Sequence, residues 1–323
     1  MRTITDLQQK QALPLETKIL LTRERVRQWV HEFGEDGCYI SFSGGKDSTV
    51  LLDLIRNKFN YNIDAVYVDT GLEYPETRNF VKECQNITWL RPKMTFKKVI
   101  QEYGYPLFSK ENSLYISQCQ NPTERNETSR NLRLNGIRSD GVKVKVGVIP
   151  NSLKFAVYAP FKISNRCCDI MKKAPLKKYS KEKNAFPFTA EMATESSIRA
   201  RQWLKHGCNG FDLKMPKSMP LAFWTEQDIL QYIYENNLKI AEIYGNVIRQ
   251  EDKYILTGVK RTGCMFCGYG CHLEKQGSGR FELMKKTHPL QYEYIMKSFE
   301  NGGLNYKNVI DWINNNSNLY IKY

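Results

Sequence analysis

Residues 38–48 read CYISFSGGKDS, and the stretch that follows, DSTVLLDLIRNKF at 47–59, carries apolar residues at helical spacing. A short β-prone run, a glycine turn and a helix make a good anion site. Glycines let backbone N–H groups come close to an oxyanion, and the helix N-terminus adds unpaired donors and partial positive charge. Lys46 supplies a full charge, and Ser43 and Ser48 supply hydroxyls. The Walker A loop is excluded, because Asp47 follows Lys46 and Ile40 stands where its first glycine belongs. The dinucleotide fingerprint G-x-G-x-x-G is also absent. Taken alone, the stretch also fits an ordinary polar turn.

Working outward, LETKILLTRERVRQWVHEF at 15–33 predicts a helix, IDAVYV at 63–68 a second strand, PETRNFVKEC at 75–84 a helix with proline in its first turn, and ITWL at 87–90 a third strand. This alternation predicts an α/β fold, a parallel sheet flanked by helices on both faces. VDTG at 68–71 closes the second strand at the sheet's carboxyl edge, where open α/β folds bind ligands. Asp69 there suits magnesium or a ribose hydroxyl, or simply caps the following turn. Farther on, the pattern predicts a strand in FPFTAEM, helices in ESSIRARQWL and WTEQDILQYIYENN with Thr225 as N-cap and Asp228 in the first turn, and a mostly helical tail from 281. Residues 104–160 show no sustained periodicity and read as an insertion or mobile loop. Three segments are expected: an N-terminal helical segment at 1–35, a nucleotide-binding domain at 36–260 with a basic insertion at 104–160, and a Cys-containing helical region at 261–323.

The chain has 323 residues and a net charge of +14, from 48 Lys+Arg against 34 Asp+Glu. Residues 108–157 carry eight Lys/Arg against four Asp/Glu, and 162–183 carry eight against two. Such an excess favours a polyanionic partner, DNA or tRNA, with a solvated basic face as the plainer alternative. Tyr115, Phe155, Tyr158 and Phe161, interleaved with these cations, are the expected aromatic part of that surface. No stretch approaches the roughly 20 apolar residues of a membrane span, and the N-terminus lacks an apolar signal core. A cytoplasmic protein without membrane contact is expected, and its oligomeric state stays open.

Nine cysteines in such a chain point to metal or sulfur chemistry more than to disulfides. Cys167 and Cys168 are adjacent, and Cys264 and Cys267 form C-x-x-C. Four thiolates hold either zinc or an iron–sulfur cluster, though an adjacent pair is unusual for zinc. Cys271 and Cys208 are ambiguous between sulfur handling and burial. Cys38 and Cys84 read as packing residues.

Taken in order, FSGGKDSTVLLDL, VDTGLEYPET, the Cys-Cys pair, ESSIRAR, PLAFWTEQDILQYI and RTGCMFC resemble the phosphoadenosine-phosphosulfate (PAPS) reductase family of PP-loop, N-type ATP pyrophosphatases, over roughly residues 36–275. The pattern is most similar to DndC-type iron–sulfur proteins of DNA phosphorothioation. That resemblance implies ATP and Mg2+ contacts from Ser43, Gly44, Gly45, Lys46, Asp47, Ser48, Asp69 and Gly71, with Glu195 and Arg199 facing the nucleotide. Those last two also fit a plain i,i+4 surface pair. It implies Lys46, Asp47 and Asp69 as catalytic residues and a [4Fe-4S] cluster on Cys167, Cys168, Cys264 and Cys267. Sulfonucleotide reductases of this family attack with a cysteine near the C-terminus, and no cysteine follows Cys271 here. The expected activity is therefore adenylation of a substrate oxygen, with pyrophosphate release, for sulfur insertion into nucleic acid, served by a sulfur donor such as a cysteine desulfurase. The alternatives are a sulfonucleotide reductase-like enzyme and a redox-sensing nucleotide-binding module without turnover.

Overall fold

The computed structural model describes residues 2–275 and 277–323. Two compact units divide the chain, and neither is contiguous in sequence. The first comprises Met1–Asp69, Glu73–Arg91 and Ala174–Thr262. The second comprises Thr70–Leu72, Pro92–Lys173 and Gly263–Tyr323.

The first unit is built on a six-stranded sheet. Strand Cys38–Phe42 lies in its middle, parallel to Ala65–Val68 on one side and to Phe186–Phe188 on the other. Ile87–Leu90 pairs parallel beyond Ala65–Val68, and Lys217–Ser218 pairs parallel beyond Phe186–Phe188. Asn209–Gly210 is the antiparallel edge. The sheet is thus mainly parallel and flanked by helices, as the alternation predicts.

Register explains why both faces are covered. Along the central strand, Cys38, Ile40 and Phe42 enter the large core cluster with Trp29, Val50, Leu54 and Trp224, whereas Tyr39 enters a smaller one with Val66 and Ala185. Side chains that alternate into two cores are mostly apolar, which is why CYISF, Ser41 apart, reads as a nearly continuous apolar run. Helix Ala174–Lys183 covers the smaller cluster through Leu176 and Tyr179, and Ser180 Oγ lies 2.9 Å from the Tyr39 hydroxyl.

Helix Leu15–Phe33 forms over the span its periodicity predicts. It is tied to helix Glu226–Glu235 by a buried ion pair, in which Lys18 Nζ donates to both Asp228 oxygens at 2.7 Å and to the Gln11 carbonyl at 2.7 Å. Asp228 also completes the capping box with Thr225, accepting from its backbone N–H at 2.6 Å and its hydroxyl at 2.7 Å. One carboxylate therefore ends a helix and neutralises a buried ammonium.

The second unit corrects the reading of residues 104–160 as an aperiodic loop. Helices Lys110–Gln120 and Glu127–Asn135 form there, followed by the 3-10 turns of Asn151–Tyr158. Their periodicity is hard to see because the first helix buries Ser113 alongside Tyr115, Ile116 and Cys119, while the second buries nothing. Strand Leu107–Phe108 pairs in parallel with Gly268–Tyr269. Helices Arg280–Thr287, Pro289–Met296 and Tyr306–Asn315 form the predicted helical tail. Among the described residues no helix is long and apolar enough to cross a membrane.

Lys18→Ala leaves Asp228 buried without its cation. We expect it to destabilise the first unit by about 3 kcal/mol in urea unfolding, whereas removing exposed pairs such as Lys239–Glu83 costs under about 1 kcal/mol. A second prediction concerns pH. Burial, with Glu35 nearby, pushes the Cys38 thiol up to about 12, whereas an unfolded thiol titrates near about 8.5. The unfolded chain therefore gives up this proton first. The contribution of Cys38 is full below the unfolded value and drains away as pH rises toward 12. Cys38→Ala should make the alkaline loss of stability in this window less steep, measured by urea midpoints across pH.

Candidate functional site

The glycine turn leaves the central strand at Ser43. Gly44 sits at φ +71°, in the left-handed region, and an added Cβ there would come within 2.6 Å of Val81 Cγ2 and 2.8 Å of Thr77 Cγ2. Gly45 is the N-cap of helix Lys46–Asp53. Ser48 turns back on the loop: its hydroxyl donates to the Gly45 carbonyl at 2.9 Å, accepts from the Ser43 backbone N–H at 3.2 Å and lies 3.0 Å from Ser43 Oγ. The two serines thus hold the loop's shape as well as lining it.

Lys46 is almost fully buried. Its ammonium lies 3.1 Å from Asp47 and 3.7 Å from Glu226. Its backbone N–H donates to the Tyr244 hydroxyl at 3.3 Å, and that hydroxyl lies 2.6 Å from Thr262 Oγ1. Burial raises the Tyr244 pKa, so the phenol keeps its proton. The sequence reading missed Glu226 and Tyr244. Tyr244 lies far away in sequence and carries no local pattern, whereas Thr262 lies inside the RTGCMFC motif.

Asp69 lies buried at the end of its strand, where Arg78 donates to it through Nε at 3.2 Å to each oxygen and through Nη2 at 2.9 Å, and Arg91 approaches to 3.9 Å. The carboxylate holds the Arg78 guanidinium above its ordinary pKa. Gly71 belongs to the second unit, at φ +72° with nothing near its Cβ position. Glu195 and Arg199 form an ion pair, but Glu195 lies in the 3-10 turn before helix Ser197–His206 rather than in that helix. Arg199 also approaches Glu191 at 3.7 Å, and Glu191 accepts from Lys217 at 2.9 Å. Glu191 and Lys217, unforeseen in the sequence, make this a four-residue charge network.

The second unit holds the motif cysteines. Cys167 and Cys168 lie on the short helix Arg166–Cys168, and the Cys267 backbone N–H donates to the Cys264 carbonyl at 3.1 Å. Burial pushes the Cys167 thiol up, and Cys264, Cys168 and Cys267 add to the effect. Cys267 is likewise raised by burial, against hydrogen bonding from the Tyr269 backbone and the Arg280 guanidinium. Four thiols in one unit, two adjacent and two in C-x-x-C, are a donor set of the right chemistry for an iron–sulfur group. Among the described residues, no three His, Cys, Asp or Glu side chains are gathered as a ready metal site. Cys271, pushed up to about 12 by burial, donates to the Cys267 carbonyl at 3.6 Å.

The basic segments also take shape. Lys177, Lys178, Lys181 and Lys183 are exposed along helix Ala174–Lys183 in the first unit. Lys143 and Lys145 are exposed in the second. Of the four aromatics expected to interleave with such cations, Tyr158 alone is largely exposed, at 80%. Tyr115 is buried under the Arg133 guanidinium at 3.8 Å, and Phe155 and Phe161 pack on Trp312. That part of the reading is corrected: three of the four hold the unit together.

The family profile described as phosphoadenosine phosphosulfate reductase domain matches residues 37–141 and 123–269. An adenosine 5'-phosphosulfate reductase of Oceanobacillus iheyensis is 23% identical over 255 residues, which cover 75% of this chain and 76% of that protein. An uncharacterized protein of Methanocaldococcus jannaschii is 26% identical over 228 residues, 70% of this chain but 40% of that protein. The crystal structure of a PAPS reductase from Candida auris, in a phosphate complex, aligns over 72% of this chain and 89% of that one, at 15% identity and a TM-score of 0.40.

Gly44→Ala should destabilise the first unit by about 2 kcal/mol or more, because strain and overlap with Val81 add. Gly71→Ala, with open space around it, should cost about 1 kcal/mol from backbone strain alone. Urea unfolding of the two variants side by side reads the difference.

Proposed function

The chain belongs to the phosphoadenosine phosphosulfate reductase family, and from that premise we propose that it is an ATP pyrophosphatase that adenylates an oxygen of a nucleic acid for replacement by sulfur. The observation that carries this reading is the buried Lys46 ammonium beside a loop whose hydroxyls are already fixed. Such a loop needs little reorganisation to receive phosphates, and its fixed donors act where charge develops.

In this reading Ser43, Gly44, Gly45, Asp47 and Ser48 surround the phosphates with Lys46. The substrate oxygen attacks the α-phosphorus, the bond from that phosphorus to the bridging oxygen breaks, and pyrophosphate leaves with the bond electrons. Lys46 offsets the charge gathering on that leaving group. Asp47 and Glu226 orient the ammonium. Asp69 would hold magnesium on its oxygens, in exchange for part of its pairing with Arg78. Cys167, Cys168, Cys264 and Cys267 would hold a [4Fe-4S] cluster, which would supply a site for binding or relaying sulfur. The lysines of helix Ala174–Lys183 would take nucleic acid phosphates, and a persulfide-bearing protein such as a cysteine desulfurase would deliver the sulfur. That sulfur would displace the adenylated oxygen as AMP, while a thiol reductant supplies the two electrons that bring the persulfide sulfur to the sulfide level.

One observation favours a second reading. The Oceanobacillus relative named as an adenosine 5'-phosphosulfate reductase covers three quarters of both chains. A reductase would release sulfite from a sulfonucleotide and would need no pyrophosphate release from ATP.

Anaerobic purification with an iron count, followed by paired assays, separates the two. We expect about four iron atoms per chain. Pyrophosphate release from ATP should rise with DNA or tRNA and fall at least about a hundredfold in Lys46→Ala. Charge removal at Lys177, Lys178 and Lys181 should weaken nucleic acid binding and flatten its salt dependence. Sulfite release from adenosine 5'-phosphosulfate with a thiol reductant, in place of pyrophosphate release, would establish the second reading.

A further inference from the structure

The first unit contains a small cavity of about 210 Å³ that the loop chemistry does not use. Its wall carries Arg2, Lys10 and Arg25, together with His206, Trp203 and the buried Cys208. Lys10 comes from helix Ile4–Gln11, Arg25 from helix Leu15–Phe33, and His206 from the last residue of helix Ser197–His206. Two helices and a residue just before the first of them therefore bring positive charge to one space.

None of Arg2, Lys10 and Arg25 forms an ion pair among the described residues. Arg25 donates to the neutral Gln28 side chain at 2.8 Å. Asp6, on the same helix as Lys10 and attracted to it, closes no ion pair with it and instead accepts on Oδ2 from the Thr3 backbone N–H at 2.6 Å and hydroxyl at 2.9 Å. His206 keeps its own acid, with Nδ1 2.8 Å from the Asp212 carboxylate. Arg2 lies flat against Gly207, where a Cβ would meet its guanidinium at 2.6 Å. Burial pushes the Cys208 thiol up and keeps it protonated, against a hydrogen bond from Trp203 and the charges of Arg25, Lys10 and Arg2.

Arg2 is exposed while Lys10 and Arg25 are half-buried; like charges gathered this way repel, and partial removal of a cation from water is costly. The pattern is stable once a counter-charge enters. The geometry points to a binding site for a small, multiply charged oxyanion of the phosphate, pyrophosphate or sulfate type, held by Arg2, Lys10 and Arg25. The cavity is smaller than the roughly 300 Å³ at which pockets begin to take drug-sized ligands, so a nucleotide does not fit. A bound anion would join helix Ile4–Gln11 to helix Leu15–Phe33. This assignment is independent of what the glycine loop binds.

Calorimetric titration with inorganic pyrophosphate and with sulfate tests it, using the full chain in a Lys46→Ala background so that the glycine loop does not contribute. We expect one site per chain that weakens with rising salt. Adding Arg25→Gln or Lys10→Glu should cost about tenfold or more in affinity. Far-UV circular dichroism checks that each variant folds. Lys10 is on a terminal helix, so Lys10→Glu decides the matter if Arg25→Gln does not fold. No binding by either anion at millimolar concentration in the Lys46→Ala background overturns the assignment, as does binding that neither charge change weakens.

Discussion

The first unit depends on one steric constraint, the passage of the backbone at Gly44 between the central strand and the helix behind it. At φ +71°, and with Val81 and Thr77 closer than any Cβ tolerates, the chain turns sharply enough to aim the start of helix Lys46–Asp53 back across the end of strand Cys38–Phe42. The other features of the loop follow from that turn. Ser48 reaches the Ser43 N–H because the loop is this tight, and Lys46 is buried because the helix begins where the sheet core ends. The burial of Lys46 in turn calls for acids nearby, and Asp47 and Glu226 supply them.

The sheet was legible in the sequence because parallel strands covered on both faces leave a simple signal, short apolar runs between amphipathic helices. Cys38–Phe42, Ala65–Val68 and Ile87–Leu90 all fall inside runs found that way. The same logic fails for residues 104–160. A helix that buries a serine and a cysteine with its tyrosine and isoleucine shows no clear apolar stripe, and one that buries nothing shows none at all. The six-residue SGGKDS was legible as an anion loop for a different reason. Its glycine and lysine positions are set by local geometry, whereas Tyr244 and Glu226 reach the loop only through the fold.

The aromatics and cations show where composition misleads. An excess of positive charge is a property of the whole chain, but each residue has a particular use. Arg133 covers the Tyr115 ring, Arg56 donates to three backbone carbonyls, and Arg78 holds Asp69. None of these is free to track a phosphate backbone without giving up a structural contact. The lysines exposed along Ala174–Lys183 carry less structural duty: Lys178 pairs with Glu182, four residues on, and pairs of that kind contribute little to stability. Charge available for a partner is therefore better counted by what each cation already touches than by net charge.

That count separates two kinds of buried or half-buried cation in the first unit. Lys18 and Lys46 are deeply buried, and both have carboxylates at hand. Lys10 and Arg25 are half-buried and close no ion pair among the described residues: Asp6, near Lys10, gives its Oδ2 to Thr3, and Glu24, near Arg25, is bound by Arg27 and Gln28. A fold that needed Lys10 neutralised for stability could use Asp6 for it. Asp6 gives Oδ2 to a helix cap and closes no ion pair with Lys10, and a cation lining a cavity in that way is disposed toward something outside the chain.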